Sequence, residues 1–506
     1  MGNYEKLQEL SELRASLLQT ANPENAEQQK KLGKLLVRER ISKLLDEGSF
    51  IELGKYVQNS NAVYGFKDTS APTDGVITGF GSIEGRPVYV FAQDYTVLKG
   101  ALGLSHARKI VDVIDRAVKS GVPVIGMMDS DGAKVQEGAA ALSGYAMIMK
   151  KLSEVSGIIP TISMVLGNAI GCGSYISALC DFMVIVDKVG ALLTHGPQVL
   201  SANEGINKTA VELGGAQVHG GQTGLADFVC GTEDEAFATV KKLLTYLPSN
   251  NLDEAPFEMC NDDLNRPLLD MNAESYDMRA LVAELADNGQ FFEIKADFAK
   301  NIITGFAQLN GTSVGIVANV PGQQLDQDAC KKAARFISLL DAYSIPVISL
   351  IDNEGTVVDL EQEQTGLISA VAKLAFAYAE ASSPMVSVVT GKAVGDGFAA
   401  MGSKALGADA LYAWPSAKIA PLDQEAGSLI MFEDEIKQAE DGAQGRQKAV
   451  EEYLQLFANP YSAAKQGVVD DVIMPSETRQ MVIGALEMAL SKRENRIPKK
   501  HGVMPW

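Results

Sequence analysis

Histidine and cysteine are scarce in this chain and an excess of basic charge is lacking, and each shortage removes a class of chemistry. Its 506 residues hold four histidines, His106, His195, His219 and His501, with no HExxH arrangement and no close pair. A histidine-based metalloprotease centre is not indicated, and each histidine is read as structural or exposed. Five cysteines, Cys172, Cys180, Cys230, Cys260 and Cys330, lie far apart with no CxxC among them. No metal site is expected from that spacing, and an odd count suits a reducing cytosol better than a disulfide framework. Lys and Arg number 44 against 64 Asp and Glu, a formal net charge of −20. Nucleic acid is excluded as a partner, because phosphate binding needs concentrated positive charge. No apolar run is long enough to span a bilayer, so direct membrane insertion is not expected. The opening MGNYEKLQEL lacks the apolar core of a signal peptide, and Lys6 stands where a myristoylation motif wants Ser or Thr. These features predict a cytoplasmic protein whose membrane link, if any, runs through a partner. Ser130 and Ser174 have no nearby histidine, so both are read as turn residues.

What is present describes a folded, two-part chain. Hydrophobic residues make up 46% and charged residues 21%, which supports conventional cores, and the length exceeds what one core serves. Residues 1 to about 45 read as a charged helical segment with Leu7, Leu10, Leu13 and Leu17 spaced for one face. Short apolar runs then alternate with helical patterns. Buried strands are predicted at 88–91, 122–127, 160–166 and 182–186, and helices at 107–119 and 144–156.

The chain also repeats itself. GVPVIGMMDSDG (121–132) is echoed by SIPVISLIDNEG (344–355), placing Pro123 and Pro346, and Asp129 and Asp352, 223 residues apart. IPTISMVLGNAIGCG (159–173) is echoed by SPMVSVVTGKAVGDG (383–397), pairing Gly167, Gly171 and Gly173 with Gly391, Gly395 and Gly397 at an offset of 224. A duplication follows, with domains at 1–255 and 256–506 and the polar stretch around 249–267 as connection. In both halves G-x-x-x-G-x-G follows a β-branched run. Such glycines suit tight turns and close ligand approach to main-chain N–H groups, and a helix starting there adds free amides and a positive dipole end. The glycine order is wrong for a dinucleotide fingerprint, and no P-loop Lys-Ser/Thr follows. An enzyme of this size without acid/base clusters points to chemistry done by preorganised N–H donors, the help that a thioester enolate needs.

These residues carry a resemblance. RERISKLLDEGSF (38–50), PTDGVITGFG (72–81), FAQDYTV (91–97), DSDGAKVQEG (129–138), SGYAMI (143–148), ELGGAQVH (212–219) and LPSNN (247–251) match in the first half. GFAQLNGTSVGIVAN (305–319), LAFAYAEASSP (374–384), GADALYAWPSAKIA (407–420), DDVI (470–473) and KKHG (499–502) match in the second. The chain resembles, nearly end to end, the biotin-dependent acyl-CoA carboxyltransferases: propionyl-CoA carboxylase beta subunits, the transcarboxylase large subunit and methylmalonyl-CoA decarboxylase alpha subunits. The resemblance implies an α/β fold of two tandem crotonase-like (ClpP/crotonase) domains, the first on the acyl-CoA side and the second on the biotin side. It implies a homohexamer with sites between opposite halves of two subunits. The implied activity moves CO2 between carboxybiotin and a short-chain acyl-CoA of the propionyl- or methylmalonyl-CoA type. Carried over by position, one oxyanion hole falls at Gly171 and Cys172, with Gly132, Ala133 and Gly173 on the acyl-CoA side. The other falls at Asp396 and Gly397, with Gly395 on the biotin side. No biotinylation motif of AMKM type and no ATP-grasp features are present, so the implied partners are a separate biotin carboxyl carrier protein and a biotin carboxylase, or a membrane decarboxylase subunit.

The sequence departs from the family pattern at several points. DSGGAR is DSDGAK, with Asp131 and Lys134; Lys99 stands where glycine is common; VPGFLPG has become NEGTVVD (353–359); and PLDQEAG (421–427) replaces a glycine-rich turn. Cys172 is read as a small residue preserving the first turn. Asp396 is expected to point its carboxylate away from the second. Two alternatives stand beside the main reading: the alpha component of a sodium-pumping decarboxylase, and a biotin-independent crotonase-type enzyme. The latter would want carboxylates near the first turn, where Glu137 is the nearest and is expected on a solvated helix position.

Overall fold

The computed structural model describes residues 3–18, 23–58, 72–268, 276–494 and 497–505. Its contacts divide the chain into two compact units, Met1–Leu252 and Asp253–Trp506. Among the described residues no helix is long and apolar enough to cross a membrane.

Unit one is built on β1 (Ile51–Leu53), β2 (Val76–Ile83), β3 (Arg86–Gln93), β4 (Val124–Ser130), β5 (Thr161–Ile170), β6 (Phe182–Val186), β7 (Ala191–Leu193) and β8 (Phe228–Cys230). They form one sheet in the order β1-β2-β3-β4-β5-β6-β8, with β7 paired to β5. Unit two repeats the plan with β9 (Phe291–Ile294), β10 (Ile302–Leu309), β11 (Thr312–Asn319), β12 (Val347–Asn353), β13 (Met385–Val394), β14 (Ala410–Ala413), β15 (Lys418–Ala420) and β16 (Asp471–Val472). Its order is β16-β14-β13-β12-β11-β10-β9, with β15 paired to β13. Each sheet opens on an antiparallel hairpin, β2–β3 or β10–β11. Glu84-Gly85 and Asn310-Gly311 turn these hairpins with positive φ at both residues, as a two-residue turn matched to strand twist requires. Parallel strands follow. Every residue of β4, β6 and β12 is buried, which explains why they read as continuous apolar runs rather than alternating ones.

The predicted strands lie within or across the edges of β3, β4, β5 and β6, and the predicted helices correspond to Leu104–Ser120 and Ala139–Val155. The first 45 residues are helical at Asn3–Leu18, Pro23–Lys31 and Val37–Leu44. Of the leucine face, Leu17 is buried while Leu7 and Leu13 are exposed.

The duplication extends to an irregularity. β4 and β5 pair in register as far as Met128 and Val165, then shift so that Ser130 faces Ala169. β12 and β13 pair as far as Ile351 and Val389, then shift so that Asn353 faces Ala393. Two extra residues on the second strand of each pair make the bulge, and because both halves share it, the change of offset between the repeated blocks arises instead in the connection that joins the paired strands.

Each bulge holds a buried aspartate. Asp129 accepts from Lys34 Nζ at 2.7 Å and Arg40 Nη1 at 2.8 Å, and Arg40 in turn reaches Glu233 at 2.7 Å. Helix Val37–Leu44, from the RERISKLLDEGSF stretch, therefore delivers Arg40 to the strand end. Removing one member of such a buried network typically costs about 3–5 kcal/mol, because the partner charge is stranded. In unit two Asp352 accepts from Tyr276 Oη at 2.8 Å and from the Lys392 amide at 2.8 Å. Tyr276 packs on Trp414 of the YAWPSA stretch, whose buried indole donates to Thr478 Oγ1 at 2.9 Å. The KKHG segment lies on helix Leu367–Glu380, where Lys499 pairs with Glu380 and Gly502 meets the Phe376 ring.

Candidate active site

Both glycine turns follow the bulges, and their three glycines do different work. At Gly167 a Cβ would lie 2.0 Å from Asp129 Oδ1, and at Gly391 it would lie 2.2 Å from Asp352 Oδ2. The first glycine of each motif makes room for the buried aspartate rather than for a ligand. The second, Gly171 or Gly395, has φ near +66° or +63° and turns the chain into a helix, Cys172–Leu179 or Gly395–Ala400. The third begins to differ between the halves. Nothing lies within 4 Å of a Cβ on Gly173, whereas one on Gly397 would meet Asn353 Oδ1 at 2.5 Å.

In unit one the Gly171 amide is spent on Leu193 O at 2.8 Å, while Ser174 Oγ returns to Gly171 O at 2.7 Å. Gly132 stands beside this turn, with a Cβ position 3.7 Å from Ile170 O. Its amide donates to Ser130 Oγ at 3.1 Å, so both serines serve turns. The loop is pinned by Leu102, whose amide donates to Gly132 O and whose carbonyl accepts from Lys134, each at 2.9 Å. Ala133 sits between those two bonds. Among the described residues no acceptor takes the amides of Ala133, Cys172 or Gly173, and the last two belong to a first helical turn, which leaves its N–H groups free. Five predicted residues, Gly132, Ala133, Gly171, Cys172 and Gly173, are thus brought together, with three amides unspent.

Unit two repeats the frame. Leu325 donates to Gly355 O at 3.0 Å and accepts from Val357 at 2.9 Å, leaving Thr356 in the place of Ala133. Asp396 stands in the place of Cys172, and here the expectation fails. Its carboxylate does not point away but folds back onto the turn. Oδ1 accepts from the Gly397 amide at 2.9 Å and the Thr356 amide at 3.3 Å, and Oδ2 accepts from Thr356 Oγ1 at 2.6 Å. A short acceptor with three donors in reach has every reason to stay. Thr356 escaped the reading of the sequence, although it lies inside the divergent NEGTVVD stretch.

The other departures have local causes. Lys99 adopts φ +54°, the conformation for which glycine is usual, and its ammonium lies 3.7 Å from Asp131. Two departures therefore answer each other, and Asp131 also accepts from Tyr95 Oη at 3.0 Å and Asn168 Nδ2 at 2.7 Å. Lys134 is buried between Asp74 at 3.2 Å and Glu137 at 3.3 Å. Glu137 corrects a second expectation: its side chain is only 6% exposed and accepts from the Leu104 amide at 2.6 Å, at the start of helix Leu104–Ser120. An acidic group near a helix N-terminus is favoured there, so it is a capping residue and not a solvated one. Asp423 of PLDQEAG likewise caps helix Gln424–Met431, and Gly427 lets that helix approach the Tyr453 ring. Beside the second turn lies a cleft of about 330 Å³ lined by Val394, Ala420, Leu422, Lys392 and Lys418. His106 is fully buried, and burial, with help from Lys109, pushes its pKa down to about 3, so it stays neutral.

The sequence matches the carboxyl transferase domain family over residues 28–504. The chain belongs to that family. It is 41% identical to a propionyl-CoA carboxylase carboxyltransferase subunit of Haloferax mediterranei, over 99% of each chain. It is 40% identical to a methylmalonyl-CoA decarboxylase subunit alpha of Propionigenium modestum, again over 99% of each. Among solved structures it superposes on a transcarboxylase 12S crystal structure with a TM-score of 0.95 and 39% identity, covering 100% of this chain and 99% of that one. That protein is described as a hexamer assembly with hydrolysed methylmalonyl-coenzyme A bound. The fold is accordingly the crotonase-type carboxyltransferase fold in two domains, and the chain is an acyl-CoA carboxyltransferase of this family.

Proposed function

We propose that this chain is the carboxyltransferase subunit of a biotin-dependent enzyme acting on a short-chain acyl-CoA of the propionyl- or methylmalonyl-CoA type. One observation carries the reading. In unit two a single oxygen, Asp396 Oδ1, takes the amides of both Thr356 and Gly397. The repeat maps that amide pair onto Ala133 and Gly173 in unit one, where both are unspent. An oxygen seated between them would be the thioester carbonyl oxygen, on which negative charge develops as the α-proton leaves. Two fixed N–H groups, that of Gly173 at a helix start and that of Ala133 in the pinned loop, stabilise that charge without reorganising, and one such donor is typically worth ~10²–10³ in rate. Gly171 holds the turn open, Gly132 sets the loop beside it, and Cys172 occupies the position of Asp396 without an acceptor oxygen.

Biotin, delivered on a separate carrier protein, would supply the carrier of CO2. The residues of unit one fit the thioester partner. Those of unit two do not present an open seat for a ureido oxygen, since Asp396 fills it. Unit one is proposed as the acyl-CoA side and unit two, through Gly395, Asp396 and Gly397, as the biotin side. Relatives named as carboxylase and as decarboxylase subunits match equally well, so the proposal covers both directions of CO2 transfer. The partners would be a biotin carboxyl carrier protein with either a biotin carboxylase or a membrane decarboxylase subunit. A ring of six, as described for transcarboxylase 12S, is the proposed assembly, and five free cysteines favour a cytoplasmic location. The test is CO2 release by the purified chain from malonyl-, methylmalonyl- and glutaconyl-CoA, with and without free biotin. Biotin-dependent release from methylmalonyl-CoA is expected. Release that ignores biotin would replace this reading with a biotin-independent crotonase-type activity.

A further inference from the structure

Resting on the reading just given, we propose that Asp396 is an internal occupant of the biotin-side amide pocket, and that a ligand carbonyl enters only by displacing it. The two halves supply the contrast. Position for position, Ala133 and Thr356 are bracketed by the same pair of backbone bonds to Leu102 and Leu325. Gly173 and Gly397, paired by the repeat, both lie in the first turn of a helix. In unit one the corresponding amides have no acceptor among the described residues. In unit two both are taken by one carboxylate oxygen, and the second oxygen is clamped by Thr356 Oγ1 at 2.6 Å. The occupant is an anion already in the geometry of the oxyanion that the pocket would stabilise. Two like-charged oxygens cannot share it.

Displacement is feasible because Asp396 is exposed, so that water can take over its hydrogen bonds. Swinging outward, it gives up three donated hydrogen bonds and regains water. Its neighbours are suited to the exchange. Gly355, with φ +92° and a Cβ position 3.5 Å from Asp396 Oδ1, leaves the approach to the carboxylate uncrowded. Asn353, fully buried, fixes the Gly355 amide at 3.1 Å and so keeps the loop in place when the carboxylate leaves. Asp396 would thus set the affinity of the second half for the carrier's ureido group while leaving the acyl-CoA half untouched.

The experiment compares the wild-type full chain with Asp396→Gly, Asp396→Asn and Thr356→Val, using methylmalonyl-CoA as CO2 donor and free biotin as acceptor. Removing a competitor held by charge-assisted bonds at an exposed site should raise kcat/KM for biotin about tenfold in Asp396→Gly, with KM for methylmalonyl-CoA unchanged. Asp396→Asn keeps one acceptor oxygen and should fall between. Thr356→Val removes only the hydroxyl clamp and should give a smaller rise. A kcat/KM for biotin in Asp396→Gly equal to or below that of the wild type, with KM for methylmalonyl-CoA unchanged, overturns the proposal. If neither wild type nor variants use biotin, the functional reading fails and the occupancy is judged separately by line broadening of ¹³C-formate. Formate broadened by Asp396→Gly but not by the wild type supports it, and equal broadening overturns it.

Discussion

Replacing Gly173 by proline removes one hydrogen and little else. Its amide has no acceptor among the described residues and stands in the first turn of helix Cys172–Leu179, where a missing N–H breaks no helical bond. Nothing lies within 4 Å of a Cβ at this position. If this amide holds the thioester oxygen, its loss should lower kcat by ~10²–10³, equivalent to about 2.7–4 kcal/mol of transition-state stabilisation. A proline also disfavours helical backbone at the residue before it, here Cys172. Gly173→Ala controls for the added Cβ by keeping the amide and using the same open space, and Tm and CoA binding report whether the proline has disturbed Cys172. The assay is biotin-dependent CO2 release from methylmalonyl-CoA, with Tm and CoA binding measured alongside. The alanine variant should stay within about threefold of wild type, while the proline variant should bind CoA and barely turn over. Full activity in a folded Gly173→Pro protein would remove this amide from the mechanism.

Three further outcomes are expected. Gly391→Ala places a methyl group about 2.2 Å from Asp352 Oδ2, and an overpacked, buried polar site of this kind should lose about 1–3 kcal/mol, read as a fall in Tm. Trp414→Phe keeps the ring in the core but deprives the fully buried Thr478 of its donor at 2.9 Å, which should cost about 1–3 kcal/mol in urea unfolding. His106 provides a pH signature. Its pKa falls from 6.5 to about 3 on folding, chiefly through burial, so the unfolded chain binds the proton more readily. The stability this residue confers is present above about pH 6.5 and is lost as pH falls toward 3, at about 1.4 kcal/mol per unit. A His106→Gln variant should therefore show a shallower loss of stability between pH 7 and pH 4 than the wild type. Parallel curves would contradict the buried neutral state.

The duplication was legible because a buried parallel sheet admits few sequences: two runs of β-branched residues, each ending in an aspartate and a glycine, repeat with offsets that differ by one residue. That single residue lies in the connection between the paired strands, because the bulge that sets Ser130 opposite Ala169 and Asn353 opposite Ala393 is the same in both halves. The positions of the turns were legible too, since a positive φ at Gly171 and Gly395 leaves a mark in composition. Side-chain direction was not. Gly167 and Gly391 looked like ligand-facing glycines, yet the atoms they admit are the carboxylates of Asp129 and Asp352, which come from another strand. Glu137 looked solvated because the amide it caps, that of Leu104, lies 33 residues earlier and meets it only in three dimensions. Asp396 is the sharpest case. Whether it turns in or out depends on Thr356, 40 residues earlier, whose hydroxyl and amide both wait at the mouth of the turn. No periodicity records such a meeting.

The central claim is that one oxygen sits between two particular amides in unit one, and a crystal structure of the full chain with an unreactive methylmalonyl-CoA analogue tests it most directly. The account predicts the thioester oxygen at about 2.7–3.1 Å from the amide nitrogens of both Ala133 and Gly173. A thioester bound with that oxygen on other donors, or with either amide turned away from it, would contradict the account.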